Sequence, residues 1–299
     1  MRCCARIVGP RPDAHTKGGI LHLPVGFAIP YIGYPGMGLN DAVGRAFNSL
    51  AGRSPFLDDL FSLGLHNDLV KGAIIGACFF AAWFGHASRE DLLRARVTLL
   101  TTLAAAALVL ATTKTMSHDI VLPRPSILAQ RFYLLEGDQL RESPRVALRV
   151  PLDAWDQTKA RALSEGQVLV DDLGSFPSDH AGFFVTIALG IWLVSRAAGA
   201  IALVWTFCII LAGKLVTGQH SLVDVVAGSA MAVVGITLGR WVAGRWLSRP
   251  LERVADWTLR HGALSSALIF LVMFEAGSTL DHLPENTSTI RRGIGQLGR

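Results

Sequence analysis

Three short polar stretches stand beside long apolar runs, and their residue types can do chemistry on an anion. KTMSHDIVLPRP covers residues 114–125, FPSDH covers 176–180, and GKLVTGQHSLVD covers 213–224. Polar groups cost free energy in hydrocarbon, so at the edge of an apolar run we expect them to serve chemistry rather than packing. From these stretches, two histidines, an orienting acid, a hydroxyl and three cations are the candidate chemical groups.

His220 and Asp224 are four residues apart, a spacing that puts two side chains on one face of a helix. A carboxylate on one imidazole nitrogen fixes the tautomer and leaves the other nitrogen as a base or nucleophile. His180 follows Ser178 at a predicted helix start, where free backbone N–H groups favour an anion. The cations of the three stretches are Lys114, Arg124 and Lys214.

This inventory is what phosphoryl transfer through a phosphohistidine requires without a metal. The cations hold the phosphate oxygens, one histidine attacks, and the other protonates the leaving oxygen. A metal site is the alternative, because His118 and Asp119 could join His180, His220 and Asp224 as ligands. We predict no metal and no cofactor, with His118 and Asp119 as solvated or network residues.

The composition indicates the kind of element that must position these groups. Half of the 299 residues are hydrophobic and only 17% are charged, whereas soluble domains carry about a quarter charged residues. These values favour a polytopic membrane protein. Lys and Arg are scattered without a basic stripe, so the formal charge of +5 gives no reason to expect a nucleic-acid partner.

Five apolar segments approach the roughly 20 residues needed to cross a bilayer. They are 69–86, 97–113, 181–195, 197–213 and 222–239. Two weaker candidates are 19–38, which is broken by prolines, and 262–278, which contains Glu275. We therefore predict an all-α polytopic membrane helix bundle with a six-helix core and possibly one extra C-terminal helix.

The arginines indicate an orientation. They crowd the connections 86–96 and 195–200 and the stretch 240–260, which belong in the cytoplasm by the positive-inside rule. Because helix direction alternates, all three polar stretches then face the opposite side and could converge there. We divide the chain into an N-terminal tail and membrane-associated segment (1–68), a catalytic helix core with the periplasmic loop 114–180 (69–240), and a cytoplasmic linker with a possible last helix (241–299).

The order Lys…ArgPro, ProSer-x-His and basic-x5-His-x3-Asp resembles the type 2 phosphatidic acid phosphatase superfamily, which includes vanadium haloperoxidases and glucose-6-phosphatase. The resemblance covers about residues 69–240 and implies a six-helix core. It implies that His220 is the nucleophile, Asp224 its partner and His180 the general acid. It assigns the substrate phosphate to Lys114, Arg124, Ser178 and Lys214, and we add Asp179 to the predicted phosphate-binding set.

This chain departs from the family pattern at three places. Lys114 lies ten residues before Arg124 where the family has seven, so about three residues are added. Asp179 replaces a glycine, a form familiar among bacterial undecaprenyl diphosphate phosphatases. Gly213-Lys214 replaces SerArg, and lysine lacks the planar fork that grips two phosphate oxygens. Alternatively, Lys114 and Lys214 anchor helix ends by snorkelling.

The resemblance implies a lipid phosphatase of the bacterial inner membrane, multi-pass, with its active site facing the periplasm or cell exterior. Its substrate would be a lipid phosphate in the bilayer: undecaprenyl diphosphate, phosphatidic acid, phosphatidylglycerophosphate or a lipid A phosphate. Two alternatives stay open, a lipid-phosphate phosphotransferase and a catalytically weak lipid-phosphate binder. The sequence gives no oligomeric state.

Overall fold

A computed structural model describes residues 5–8, 38–120, 122, 124–128, 133–136, 139–142 and 174–273. Within these ranges the helices are α1 Gly38–Asn48, α2 Pro55–His66, α3 Asp68–Phe84, α4 Arg89–Asp119, α5 Pro125–Leu128, α6 Asp179–Val194, α7 Arg196–Val216, α8 Leu222–Val242, α9 Ser248–Arg260 and α10 Gly262–Met273. Thr206–Leu211 within α7 is a π-helical segment, and a second one, Ala243–Leu247, joins α8 to α9. The strands are β1 Ala5–Val8, β2 Tyr133–Glu136 and β3 Gln139–Glu142.

The fold class predicted from the sequence, an all-α membrane helix protein, is confirmed. By length and composition, the helical stretches Arg89–Ser117, Arg196–Val216 and Leu222–Arg260 are long and apolar enough to cross a membrane. Shorter apolar helices are α3, α6 and α10. All five predicted segments fall largely within helices, and 262–278 is helical as far as Met273. The candidate 19–38 lies outside the described residues except for Gly38, where α1 begins.

The helix α4 begins eight residues before the predicted start at 97. The Ser88 hydroxyl accepts a hydrogen bond from the Asp91 N–H at 3.1 Å and so caps the helix start. Arg96 consequently lies in the helix rather than in a solvent loop. It is buried, with its guanidinium 4.7 Å above the Trp83 ring and donating to the Thr258 hydroxyl at 3.1 Å.

A small antiparallel sheet in the order β1-β2-β3 is the one addition to the helical architecture among the described residues. The strand β1 pairs with β2, with Ala5 opposite Glu136, and β2 pairs with β3. The sequence predicts this part of 114–180 as loop, because four-residue strands give too short a periodic pattern to recognise.

The chain separates into two compact units. The first comprises Met1–Ser62, Thr112–Ser178 and Leu211–Gly228. In it α1 and α2 pack against the end of α7, around a core of Ala51, Phe61, Ala212 and Val216. Proline at the first position of α2 suits a helix start, since its missing N–H has no helical partner there. The segment predicted as a tail thus contains two helices.

The second unit comprises Leu63–Ala111, Asp179–Ile210 and Ser229–Arg299. In it α3 packs on both α6 and α7, and α6 is buried along most of its length. Small residues let the backbones approach closely: a Cβ on Gly190 would lie 2.1 Å from the Thr102 side chain of α4, and one on Gly235 would lie 2.3 Å from the Val109 side chain. Such close contacts are how apolar helices associate without a hydrophobic driving force.

Candidate active site

The third polar stretch folds as a tight loop between α7 and α8 in the first unit. Gly218 has φ +69°, a left-handed conformation that glycine adopts without steric cost. The Lys214 carbonyl accepts hydrogen bonds from the N–H groups of Gln219 at 2.9 Å and His220 at 3.2 Å. The end of α7 therefore holds the backbone of His220 directly.

Two buried asparagines of α1 fix both sides of this loop. The Asn48 side-chain amide donates to the Val216 carbonyl at 2.7 Å. The Asn40 side-chain oxygen accepts from the Val223 N–H at 3.2 Å. Both amides satisfy backbone groups that helix ends leave without intrahelical partners. The helix α1 thereby positions His220 without contacting its ring in these bonds.

The imidazole of His220 is oriented by a backbone carbonyl. Its Nδ1 lies 3.0 Å from the Ser175 carbonyl oxygen and 3.7 Å from Asp224 Oδ2. A carbonyl oxygen only accepts, so Nδ1 carries the hydrogen in this bond and Nε2 keeps its lone pair. Asp224 is too distant for a hydrogen bond to the ring but close enough for a charge interaction. The ring is 4% exposed, so little water competes for that nitrogen.

Asp224 also caps a helix, which corrects the predicted geometry. The helix α8 begins at Leu222, so His220 precedes it and the two side chains do not share a helical face. The Ser221 N–H donates to Asp224 Oδ2 at 2.7 Å, and the Asp224 N–H faces the Ser221 hydroxyl at 3.4 Å. This reciprocal capping box folds the carboxylate back toward the loop.

Backbone hydrogen bonds bring the three polar stretches together within the first unit. The Ser178 N–H donates to the Asp224 carbonyl at 3.1 Å, and the Ser126 N–H donates to the Gly218 carbonyl at 2.8 Å. The Ser175 N–H donates to the Leu122 carbonyl at 2.9 Å.

A close backbone contact joins the same segments. Gly174 lies so close to the Ser117 carbonyl that a Cβ there would be 2.0 Å from the oxygen. Segments far apart in sequence therefore meet at the His220 loop.

The three predicted phosphate-binding cations differ in their settings. Lys214 is 3% exposed, and its Nζ donates to Gln219 Oε1 at 2.8 Å. Lys114 is half-buried inside α4, which continues to Asp119, so the residues added after Lys114 lengthen this helix. Arg124 is half-buried directly before α5. The side chains of His118 and Asp119 lie outside the described residues.

His180 stands in the second unit, which continues the chain directly after Ser178. It is the second residue of α6, and Asp179 Oδ1 lies 2.7 Å from its N–H and 2.8 Å from its Nδ1. An ionised carboxylate only accepts, so Nδ1 donates and Nε2 is left to exchange a proton. The structure thus gives Asp179, predicted to bind phosphate, a contact with the His180 ring.

A comparison with protein families fits this geometry. A family profile described as PAP2 superfamily matches residues 72–238, more than half of the chain. The chain belongs to the PAP2 superfamily. The match includes all three polar stretches, the helices α4, α6 and α7, and most of α3 and α8. Membership of the PAP2 superfamily supports a phosphatase-type function in general terms. No curated protein and no solved structure gave a match.

The structure adds residues that the PAP2 motifs alone do not reveal. Gln219 contacts Lys214, Asn40 and Asn48 hold the loop, and Ser175 orients His220. The Ser175 hydroxyl is buried and has no hydrogen-bond partner among the described residues. The capping pair Ser221 and Asp224 could be predicted from the sequence, because Ser-x-x-Asp before an apolar run is typical of a helix start. The asparagines and Ser175 act across long sequence separations, which no local pattern records.

Proposed function

We propose that this PAP2 superfamily member is a membrane lipid phosphatase that hydrolyses a phosphomonoester or diphosphate through a phosphohistidine at His220. The observation that carries the proposal is the His220 Nδ1 hydrogen bond to the Ser175 carbonyl. It orients the buried ring and puts the lone pair on Nε2, which makes Nε2 the nucleophile in this proposal.

The first step transfers the phosphoryl group to the enzyme. His220 Nε2 attacks phosphorus in line, and the N–P bond forms. The P–O bond that breaks is the ester bond of a phosphomonoester or the anhydride bond of a diphosphate. The His180 imidazolium gives its proton to the leaving oxygen, so the lipid departs as an alcohol or a monophosphate. Asp179 holds the His180 ring through its bond to Nδ1. The phosphate oxygens are neutralised by Arg124, Lys214 and Lys114. Ser178, directly before α6, also binds the phosphate.

The second step restores the enzyme. Neutral His180 accepts a proton from water, the water oxygen attacks phosphorus, and the N–P bond breaks to release inorganic phosphate. Support for bringing His180 into the reaction is chain connectivity: it lies two residues after Ser178, whose N–H is bonded to the Asp224 carbonyl. The cations come from the chain itself, so the proposed steps need neither a metal nor a cofactor.

The substrate we favour is a polyprenyl phosphate or diphosphate, with phosphatidic acid and related lipid phosphates as other candidates. The aspartate in Pro-Ser-Asp-His and the apolar helices around it support a lipid whose tail stays in the bilayer. The arginine-rich connections support a multi-pass bacterial inner-membrane protein whose site faces the periplasm.

A phosphate-release panel tests the proposal. Purified protein in detergent is given undecaprenyl diphosphate, phosphatidic acid and phosphatidylglycerophosphate, with and without EDTA and with vanadate, and a denatured sample is the control. We expect release from at least one lipid that resists EDTA and is inhibited by vanadate. Acid-labile, base-stable labelling of His220 by radioactive substrate would support the intermediate. Loss of activity with EDTA would support a metal site instead.

One observation favours a second candidate function, that of a catalytically weak lipid-phosphate binder. Lys214 replaces the family's arginine, and its ammonium already bonds to Gln219. The same panel, with a lipid-binding measurement added and His220→Ala as the comparison, separates the two. If both proteins bind lipid and neither releases phosphate, the chain is a binder. Transfer of label to an added lipid alcohol instead of water would identify a phosphotransferase.

A further inference from the structure

The second unit contains a cavity of about 280 Å³ between α3, α6 and α10. Its wall is mainly apolar and includes Phe80, Phe183, Phe184 and Phe270. The volume is about twice that of a ~150 Å³ apolar cavity that stays dry and binds benzene. The space therefore suits a segment of hydrocarbon chain better than ordered water.

Among the described residues that line this apolar cavity, one is charged, Lys71 of α3. It is 2% exposed, among the largest fully buried side chains of the described residues. An ionisable residue within apolar membrane helices generally marks a ligand path. A cation at the wall of a hydrocarbon-sized space fits an amphiphile that carries negative charge.

The cavity adjoins the helix that presents His180. Phe183 and Phe184 lie one turn after His180 on α6 and both line the cavity. The Phe184 ring centroid is 6.2 Å from that of His180. A molecule in the cavity therefore lies one aromatic ring away from the proposed acid.

We propose that this cavity binds a hydrocarbon chain of the lipid phosphate and that Lys71 selects anionic over neutral lipids. The inference rests on the proposed function and names the part of the protein that recognises the substrate's tail. Cavity occupation holds the lipid so that its head group lies beside His180. A water-soluble phosphate ester lacks this contact and depends on the phosphate-binding residues alone.

Two glycines offer a means of filling the cavity. Gly72 and Gly76 line it, and a Cβ on either would meet nothing within 4 Å, so leucine at these positions enters open space. Gly244 is the matched control, since it also meets nothing within 4 Å but does not line the cavity. The thermal midpoint of each variant reports whether it has folded.

The experiment uses phosphatidic acid carrying a photoactivatable diazirine in its acyl chain, and diacylglycerol with the same chain. We expect phosphatidic acid to label peptides containing residues 69–80 and 183–187 in the wild type and in Gly244→Leu. Gly76→Leu and Gly72→Leu should reduce this labelling about tenfold, as expected when two or more methylenes are displaced from an apolar site. Unchanged labelling in both leucine variants, or labelling confined to other helices, overturns the proposal.

The role of Lys71 has its own test. Lys71→Met should reduce labelling by phosphatidic acid while labelling by diacylglycerol stays the same or rises, and Lys71→Arg should restore the preference for the anionic probe. Equal loss for both probes would show that Lys71 serves packing only, which overturns its selective role.

Failure of this inference is distinguishable from failure of the proposed function, because labelling requires no turnover. Cavity labelling in a protein that releases phosphate from no substrate rejects the phosphatase but not the cavity. If the protein releases phosphate but Gly76→Leu leaves the labelling unchanged, the cavity proposal is rejected and the phosphatase proposal is not. If both are right, Gly76→Leu lowers kcat/KM for the lipid and leaves para-nitrophenyl phosphate hydrolysis unchanged.

Discussion

The two histidines of this PAP2 superfamily member are held in different ways. His180 is oriented by its immediate neighbour Asp179, within one turn of a helix start. His220 lies in a loop, and its ring bonds to the carbonyl of Ser175, 45 residues away in sequence. Asp224, the expected orienting acid, is 3.7 Å from the ring and bonds to the Ser221 backbone.

This contrast separates the parts of the proposed chemistry that depend on long-range structure from those that do not. The proposed proton donor, His180, needs a carboxylate beside its ring, and the adjacent residue Asp179 supplies it. A nucleophile must meet phosphorus in line with its ring held still, and this orientation comes from several segments packed together. Substitutions near His180 should therefore act on proton transfer, whereas substitutions around His220 should also affect the loop that carries it.

The largest expected effect is that of His220→Ala. Without the nucleophile, phosphate release should fall by about 10³-fold or more for lipid and para-nitrophenyl phosphate alike. Initial rates of phosphate release measure this. The matched control is His86→Ala, a histidine outside the site, which should retain wild-type rates. A small loss for His220→Ala would remove the phosphohistidine from the mechanism.

Asp179→Asn should separate the acid from the nucleophile. The amide leaves the His180 imidazolium without its anionic partner, so lipid hydrolysis should fall by about 10²-fold. Para-nitrophenyl phosphate has a good leaving group that needs little protonation, so its hydrolysis should change far less. The ratio of kcat values for the two substrates is the measurement. Equal losses on both would mean that Asp179 acts on the phosphate or on folding.

Two substitutions at Asp224 should separate the contribution of its charge to catalysis from the contribution of its helix cap to stability. Asp224→Asn keeps an oxygen acceptor for the Ser221 N–H, so it should lower kcat about tenfold, or about 1.4 kcal/mol, with little change in stability. Asp224→Ala also removes the cap and should lower the unfolding free energy by about 1 kcal/mol. Thermal unfolding alongside kinetics checks both. Identical stability for the two variants would contradict the capping role.

The smallest effect is expected at Gln219. Gln219→Ala removes an acceptor from Lys214 and should change KM by about threefold with kcat retained. Gln219→Glu, its near-isosteric counterpart, places a carboxylate beside the ammonium and should raise KM further by competing with phosphate. If glutamate has no more effect than alanine, Lys214 does not contact the substrate.

The helical membrane class, the family and the residue types at the edges of apolar runs could all be predicted from the sequence. Membrane spans are recognised by the length of an apolar run and the motifs by short fixed spacings, so neither requires knowledge of tertiary contacts. The extension of α4 to Asp119 follows the same local logic, since the added residues after Lys114 simply continue a helix.

Only the tertiary structure decided how the site is held. Ser175, Asn40 and Asn48 act through bonds that span 45 to 183 residues of sequence, and no periodicity encodes such partners. The spacing of His220 and Asp224 suggested a shared helical face, but the cap at Ser221 starts the helix after the histidine. A four-residue spacing fixes direction only inside a helix, and where that helix begins depends on which side chains satisfy its free N–H groups.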